Sequence, residues 1–334
     1  PAPVWGAARG PPADARRTAT PRARRRRGAA LGGVGGVAAG PSAAPPAAPL
    51  FGHPWAPRRA RGPGRVVVER LPYFAEQLVE RLASFEQLVL VGATPPVAFF
   101  AYPGKPSWCS PEGAEILHLA HPHEDGVAAL SELADALGGS GTGVVAPLQV
   151  PDHPSGRFDQ FTIGQVIARL VPEGAIVSDE AATSGLGSAN ALATAAPHDV
   201  LSLTGGAIGQ GLPLAAGASV ACPDRKVVCL HGDGGAMYTV QALWTMAREQ
   251  LDVTTVIFAN RSYGILNIEL QRVGADAGPQ ALSMLDIGNP DLDWVSLAQG
   301  MGVEAVRVDS IDGFRDAFAS AMSQSGPRLI EAVL

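Results

Sequence analysis

The stretch Lys226-Val227-Val228-Cys229-Leu230-His231-Gly232-Asp233-Gly234-Gly235-Ala236-Met237 decides the fold when read with Val253-Thr254-Thr255-Val256-Ile257-Phe258-Ala259-Asn260. Both contain short apolar runs bounded by polar or glycine residues, and residues 237–249 between them carry a helical pattern. A strand, a helix and a second strand of this kind form a parallel pair whose carboxyl ends share one edge of a sheet. Asp233 and Asn260 follow those ends, with 25 residues between Gly234 and Asn260, so the two are expected side by side. Two hard oxygen donors at such an edge, beside glycines and a helix N-terminus, suit Mg2+ carrying a diphosphate.

Outward from this unit, residues 159–334 alternate strand and helix in the manner of an α/β fold with an open parallel sheet flanked by helices. Strands are expected at 175–178, 200–203, 226–231, 253–259, 304–308 and 328–333, with helices at 293–300 and 310–323, the second capped by Ser310. Residues 272–291 have little regular pattern and the length of a lid. Upstream, residues 61–138 read as a partial α/β domain: helix at 73–83, strands at 87–91 and 116–119, helix at 127–137. Residues 139–158 read as a linker. Residues 1–60, rich in Ala, Pro, Gly and Arg with the block Arg24-Arg25-Arg26-Arg27, are expected to be disordered and without function of their own; a targeting leader or a binding tail is the alternative.

The length of 334 residues and a hydrophobic content of 46% allow two domains with buried cores. Residues 1–65 hold 12 arginines against one acid, Asp14, so the remaining 269 residues carry 13 basic and 30 acidic side chains. That acidic body argues against a nucleic-acid surface. Cys109, Cys222 and Cys229 cannot all pair, which fits a reducing cytoplasm. No run of 18 apolar residues occurs, so no membrane span is expected. His118, His121 and His123 lack a cysteine or carboxylate at a convincing zinc spacing. Gly205 to Gly211 does not fit G-x-G-x-x-G, which counts against a dinucleotide loop.

Four segments carry a family resemblance: Leu203-Thr204-Gly205-Gly206-Ala207-Ile208-Gly209-Gln210-Gly211-Leu212-Pro213, His231 to Tyr238, Ala242-Leu243-Trp244-Thr245, and Asn260-Arg261-Ser262-Tyr263-Gly264-Ile265-Leu266. In order and spacing they resemble the thiamin diphosphate-dependent superfamily of acetolactate synthase, benzoylformate decarboxylase and pyruvate decarboxylase. The chain resembles bacterial acetolactate synthase large subunits, and its C-terminal domain also looks like benzoylformate decarboxylase. Residues 69–76 and 99–106 resemble the second half of the family's central domain. A sheet cut in half would expose an apolar edge.

The resemblance implies thiamin diphosphate and Mg2+ as cofactors. Asp233 and Asn260 would bind the metal through side chains and Ser262 through its carbonyl; the usual serine after Gly-Asp-Gly is here Gly235, and the usual first asparagine is Ala259. Amides of Gly234, Gly235 and Ala236, joined by Gly264 and Ile265, would face the diphosphate, with a hydroxyl from Thr183 or, second, Ser184. If these hydroxyls have no phosphate role, they cap a helix. Ile208 would bend the cofactor, its amide and the Gly206 carbonyl meeting the pyrimidine ring; the bland reading of Ile208 is a core residue. Met237, Trp244 and Met246 read as core, and His231 as a packed strand histidine.

The implied reaction is decarboxylation of a small 2-keto acid followed by carboligation to a second. Simple release of an aldehyde, or a cofactor-binding fragment inactive alone, are the alternatives. In the family an activating glutamate comes from a pyrimidine-binding domain, usually on a second subunit. No segment here resembles that domain, so no catalytic residue is assigned and a homo-oligomer or a pyrimidine-domain partner is expected. Glu180 stands on the phosphate-side loop, the wrong end of the cofactor for this task.

Overall fold

The computed structural model describes residues 49–137 and 145–334, together with the backbone of residues 28–32. The first part supplies, in chain order, β1 (Gly28–Gly32), β2 (Leu50–Gly52), β3 (Arg58–Arg61), β4 (Glu69–Arg70), α1 (Ala75–Leu82), β5 (Gln87–Val91), β6 (Glu115–Ala120) and α2 (Gly126–Ala136). Five of these strands make a parallel sheet in the order β4-β2-β1-β5-β6. On α1, Ala75, Leu78 and Leu82 recur at helical spacing and pack with Phe51, Leu88 and Leu90.

The expectation of disorder over residues 1–60 is corrected at its C-terminal end. Phe51 is 1% exposed, and β1 lies between β2 and β5. Strands of three to five residues inside a parallel sheet are too short for a periodic signal, and composition alone hid them. Residues 1–27 and 33–48 lie outside the described residues. The sheet is therefore not cut at residue 61, and the expected apolar edge is absent from its two ends. At one edge Glu69 and Arg70 of β4 are exposed, and at the other Glu115 and His118 of β6. Charged edge strands of this kind discourage pairing with other chains.

The second part continues with α3 (Gln160–Leu170), β7 (Ile176–Glu180), α4 (Leu186–Ala191), β8 (His198–Ser202), α5 (Gly211–Ala221), β9 (Val227–Gly232), α6 (Asp233–Ala236), α7 (Ala242–Arg248), β10 (Val253–Ala259), α8 (Gly264–Arg272), α9 (Pro279–Ser283), α10 (Trp294–Gly300), β11 (Glu304–Val308), α11 (Ile311–Ser323) and β12 (Arg328–Val333). Its sheet runs β11-β12-β10-β9-β7-β8-β3, parallel except for the edge strand β3, which reaches across and pairs antiparallel with β8. All seven residues of β10 are buried. Val228 and Leu230 of β9 enter the core under α3 and α11, whereas Val227 and Cys229 enter the one under α5, α7 and α10. Burial on both faces explains why these strands read as continuous apolar runs. Phe314 and Phe318 of α11 are fully buried, each contributing about 1.5–3 kcal/mol.

The expected strands lie within a few residues of their predicted bounds, and Ser310 caps α11 by accepting from the Gly313 amide at 3.4 Å. Of the helix expected over 237–249 only α7 is formed; a tight turn at Met237–Thr239 separates it from the short α6 that precedes the expected span. Paired glycines at Gly234-Gly235 and the β-branched Thr239-Val240 are poor helix formers, and tertiary contacts decide there. Part of the expected linker is tied down: Val145 bridges Val66, the Gln149 amide donates to the Thr194 carbonyl, and Arg169 donates to the Pro151 carbonyl. Residues 138–144 lie outside the described residues.

Candidate cofactor site

Asp233 opens α6 directly after β9, and Gly232 of β9 stands opposite Phe258 of β10. Asp233 and Asn260 therefore leave neighbouring strand ends. The Asp233 side chain accepts from the Gly234 amide at 2.8 Å through Oδ1 and from the Arg261 amide at 2.7 Å through Oδ2. The residue is 3% exposed, and burial pushes its carboxyl up against the opposing pull of these backbone bonds. Among the described residues no cationic side chain pairs with it. A buried carboxylate answered only by amides is stabilised by a metal cation, and its remaining lone pairs are free for one.

Asn260 Oδ1 accepts from the Ser262 amide at 3.0 Å, and its Nδ2 donates to Ser184 Oγ at 3.5 Å. Between them Arg261 adopts φ +56°, a left-handed turn that accompanies its amide bond to Asp233. The Ser262 hydroxyl is occupied by Asn267 at 2.9 Å and the Leu285 carbonyl at 3.3 Å, leaving the Ser262 carbonyl as the candidate ligand. A Cβ on Gly264 would stand 3.3 Å from Thr183 Oγ1 and 3.5 Å from Asn260 Nδ2. Thr183, Ser184, Asn260 and Gly264 are thus brought to one place, with Ile265 next on α8. Neither hydroxyl caps a helix, since α4 starts on Gly185 without a side-chain bond.

The glycines after Asp233 serve packing as well as any anion. A Cβ on Gly234 would fall 2.5 Å from the Tyr263 ring, and one on Gly235 would fall 3.0 Å from His231 and 3.1 Å from Glu180. The Gly234 amide is already committed to Asp233, so Gly235 and Ala236 remain the better candidates at the start of α6. The long connection 272–291 is fastened beneath this loop: Tyr263 donates to the Leu285 carbonyl, Ile287 to the Arg261 carbonyl, and Arg261 pairs with Asp291 at 3.0 Å. That half of the segment is anchored, unlike a free lid.

Glu180 is the residue that sequence reasoning undervalued. Its carboxylate accepts from the amides of Gly209 and Gly211, both at 2.5 Å, and lies 3.4 Å from His231 Nε2. Burial would push this carboxyl up, but His231 and the two amides outweigh it and hold it below the usual carboxylate range. Gln210 Oε1 binds the Thr204 amide and hydroxyl, and Thr239 donates to the Gly209 carbonyl at 2.7 Å. The loop carrying Gly206 and Ile208 is therefore fixed from several sides. Ile208 is 45% exposed, so it is not a core residue. Gly206, at φ +67°, lies under Phe99 of the first part, whose ring a Cβ would meet at 2.6 Å. No local pattern around Phe99 announces this long-range contact. His231 is fully buried and packed, as expected, and so is Met246, but Met237 and Trp244 are exposed and leave the predicted core. Met237 lies in the turn Met237–Thr239 that interrupts the expected helix, and Trp244 follows it on the short α7.

Residues 182–332 match the family described as thiamine pyrophosphate enzyme, C-terminal TPP binding domain. Over those residues the chain belongs to this family of thiamin diphosphate-binding domains. It is 50% identical over 277 residues to a protein provisionally described as acetolactate synthase large subunit IlvX of Mycobacterium tuberculosis, covering 82% of this chain and 53% of the relative. To benzoylformate decarboxylase of Pseudomonas aeruginosa it is 28% identical, covering 76% of this chain and 49% of that protein. Among solved structures, a thiamine diphosphate-dependent 4-hydroxybenzoylformate decarboxylase of Rhodococcus jostii RHA1 aligns with TM-score 0.69 and 27% identity over 85% of this chain and 56% of that chain. The chain spans about half the length of the curated relatives it matches. Among its described residues no helix is long and apolar enough to cross a membrane.

Proposed function

We propose that this chain binds thiamin diphosphate through Mg2+ and supplies the diphosphate-holding half of an acetolactate synthase-like site. The observation that carries the reading is the buried Asp233 carboxylate, paired with no cationic side chain among the described residues, beside Asn260 at adjacent strand ends. Asp233 and Asn260 would hold the metal with the Ser262 carbonyl, a small set that suits an ion retaining water and phosphate oxygens. Amides of Gly235, Ala236, Gly264 and Ile265 and the Thr183 or Ser184 hydroxyl would receive the diphosphate. Gly206 and Ile208 would meet its pyrimidine end. The cofactor, when bound, supplies the carbanion chemistry for decarboxylating a 2-keto acid.

The chain's own contribution is placement. Glu180 fixes the loop bearing Gly206 and Ile208, and because both its oxygens are engaged by Gly209 and Gly211 it is not a free proton carrier. Activation at the pyrimidine ring is assigned to a pyrimidine-binding domain of a partner subunit, in a cytoplasmic setting that suits three free cysteines. Carboligation between two keto acids is favoured by the 50% identity to the acetolactate synthase-like relative. Release of an aldehyde is the second reading, favoured by Phe99 beside Gly206, an aromatic wall suited to an aromatic keto acid. Calorimetry tests the binding claim: Mg2+-dependent uptake of thiamin diphosphate is expected, abolished by EDTA and in Asp233→Ala. Equal affinity in the variant would refute the metal assignment.

A further inference from the structure

Three guanidinium groups stand at the junction of the two sheets without a carboxylate partner in contact. Arg59 and Arg61 alternate on β3, and Arg70 ends β4 in register with Gly52 at the end of β2. The Arg59 side chain lies over Gly52, where a Cβ would fall 3.4 Å from Nε. Arg59 donates to the His53 carbonyl and Arg61 to the Ala189 carbonyl at 2.6 Å; none of the three forms an ion pair among the described residues. Arg58, between neighbours that face the other way, pairs with Asp199 at 3.1 Å.

Burial, and then the like charges of Arg70 and Arg61, pull Arg59 down to about 9. Among the described residues Asp179, near the carboxyl end of β7, is the carboxylate whose charge favours Arg59 and Arg61, and its Oδ1 already accepts from the Ala181 amide at 3.2 Å. Three cations against one carboxylate leave a positive surplus. Arg59 and Arg61 stand opposite Val200 and His198 of β8, the strand between β3 and β7, while Arg70 follows the end of β2 in the first sheet. Guanidinium groups match the geometry of phosphate oxygens and stay charged when partly buried.

We infer that Arg59, Arg61 and Arg70 form a receiving site for a phosphoryl dianion, sharing no residue with the site built on Asp233 and Asn260. The test is thermal unfolding of the full chain without Mg2+, with sodium phosphate compared against sodium chloride at equal ionic strength. At ten times the apparent Kd, phosphate should raise the midpoint by about 2 °C beyond chloride. That shift should be retained in Asp233→Asn and at least halved in Arg59→Gln and in Arg70→Gln. Arg70 is exposed and makes no hydrogen bond, so its variant folds even if Arg59→Gln does not, and circular dichroism verifies this. A parallel titration with glycerol 3-phosphate separates the sources: a larger response to the ester assigns the site to a phosphorylated small molecule, a larger response to inorganic phosphate assigns it to the free ion. Equal shifts in wild type and both arginine variants, no shift beyond chloride, or loss of the shift in Asp233→Asn would each overturn the inference.

Discussion

Glu180 carries more of the site than its place in the sequence suggests. It closes two backbone amides that would otherwise be buried without acceptors, and leaving such groups unsatisfied costs about 1–3 kcal/mol each. Glu180→Ala is therefore expected to lower stability by about 3 kcal/mol in urea unfolding; a change within error would show the loop holds without it. Its pH dependence has a definite sign. Because the folded carboxyl is held below its ordinary range, the stabilisation is full above the unfolded value and is lost as pH falls through the lower folded one. Acid unfolding should lose part of its steepness in Glu180→Gln, read from unfolding midpoints between neutral and acid pH. Asp179 next to it has the opposite sign, since burial raises its carboxyl. Sequence spacing was sufficient to place Asp233 beside Asn260, because parallel strand ends leave little choice. It could not reveal Glu180 as the clasp of Gly209 and Gly211, since that contact joins loops 29 and 31 residues apart.

Helices α3 and α4 touch backbone to backbone, and glycine is what allows it. A Cβ on Gly187 would fall 2.2 Å from the Gln160 carbonyl oxygen, and one on Gly164 would fall 2.5 Å from Gly187. Backbone cannot move aside as a side chain can, so Gly187→Ala should cost about 3 kcal/mol, measurable by denaturant unfolding; a neutral result would mean the two helices separate without loss. At the other side of the sheet, β3 is held to β8 and the β9 region through Asp199, which accepts from Arg58 at 3.1 Å and from Arg225 at 2.8 Å. Arg58 is largely exposed, so the pair is worth little by itself, and Asp199→Asn should cost no more than about 1 kcal/mol. The elements most legible in advance were β9, β10 and β12, whose apolar runs follow from burial on both faces. Least legible were β1, β2 and β3, where Ala, Pro and Arg dominate the surrounding composition and pairing partners lie far away in sequence.

The two parts of the molecule are joined by polar contacts as well as by β3. Glu76 of α1 accepts from Lys105 at 2.6 Å and Arg272 at 2.7 Å, Tyr102 donates to Glu269 at 2.7 Å, and Arg272 lies 4.1 Å from the Phe74 ring centroid. These contacts tether α8, whose first residues are candidate diphosphate contacts, to the first sheet. Removing residues 1–61 takes away three strands, including a central one, and the buried Phe51, so the trimmed chain is expected to melt well below the full chain; coincident melting curves would contradict the sheet described. The 334-residue chain should decarboxylate pyruvate or benzoylformate negligibly alone, because Glu180 is engaged and no other residue is assigned to activate the cofactor. Turnover should appear when a pyrimidine-domain chain of a close relative is added, with acetolactate and aldehyde measured in each case. The sequence by itself determined the parallel α/β class and the Asp233–Asn260 pairing, because periodic burial and strand-end geometry are local and repeat along the chain, and its quoted motifs carried the resemblance to the thiamin diphosphate family. Only the tertiary structure decided that β3 crosses to the second sheet, that Phe99 covers Gly206, and that Arg59, Arg61 and Arg70 gather at one junction. Those relations depend on contacts between residues distant in the chain, and no local period encodes them.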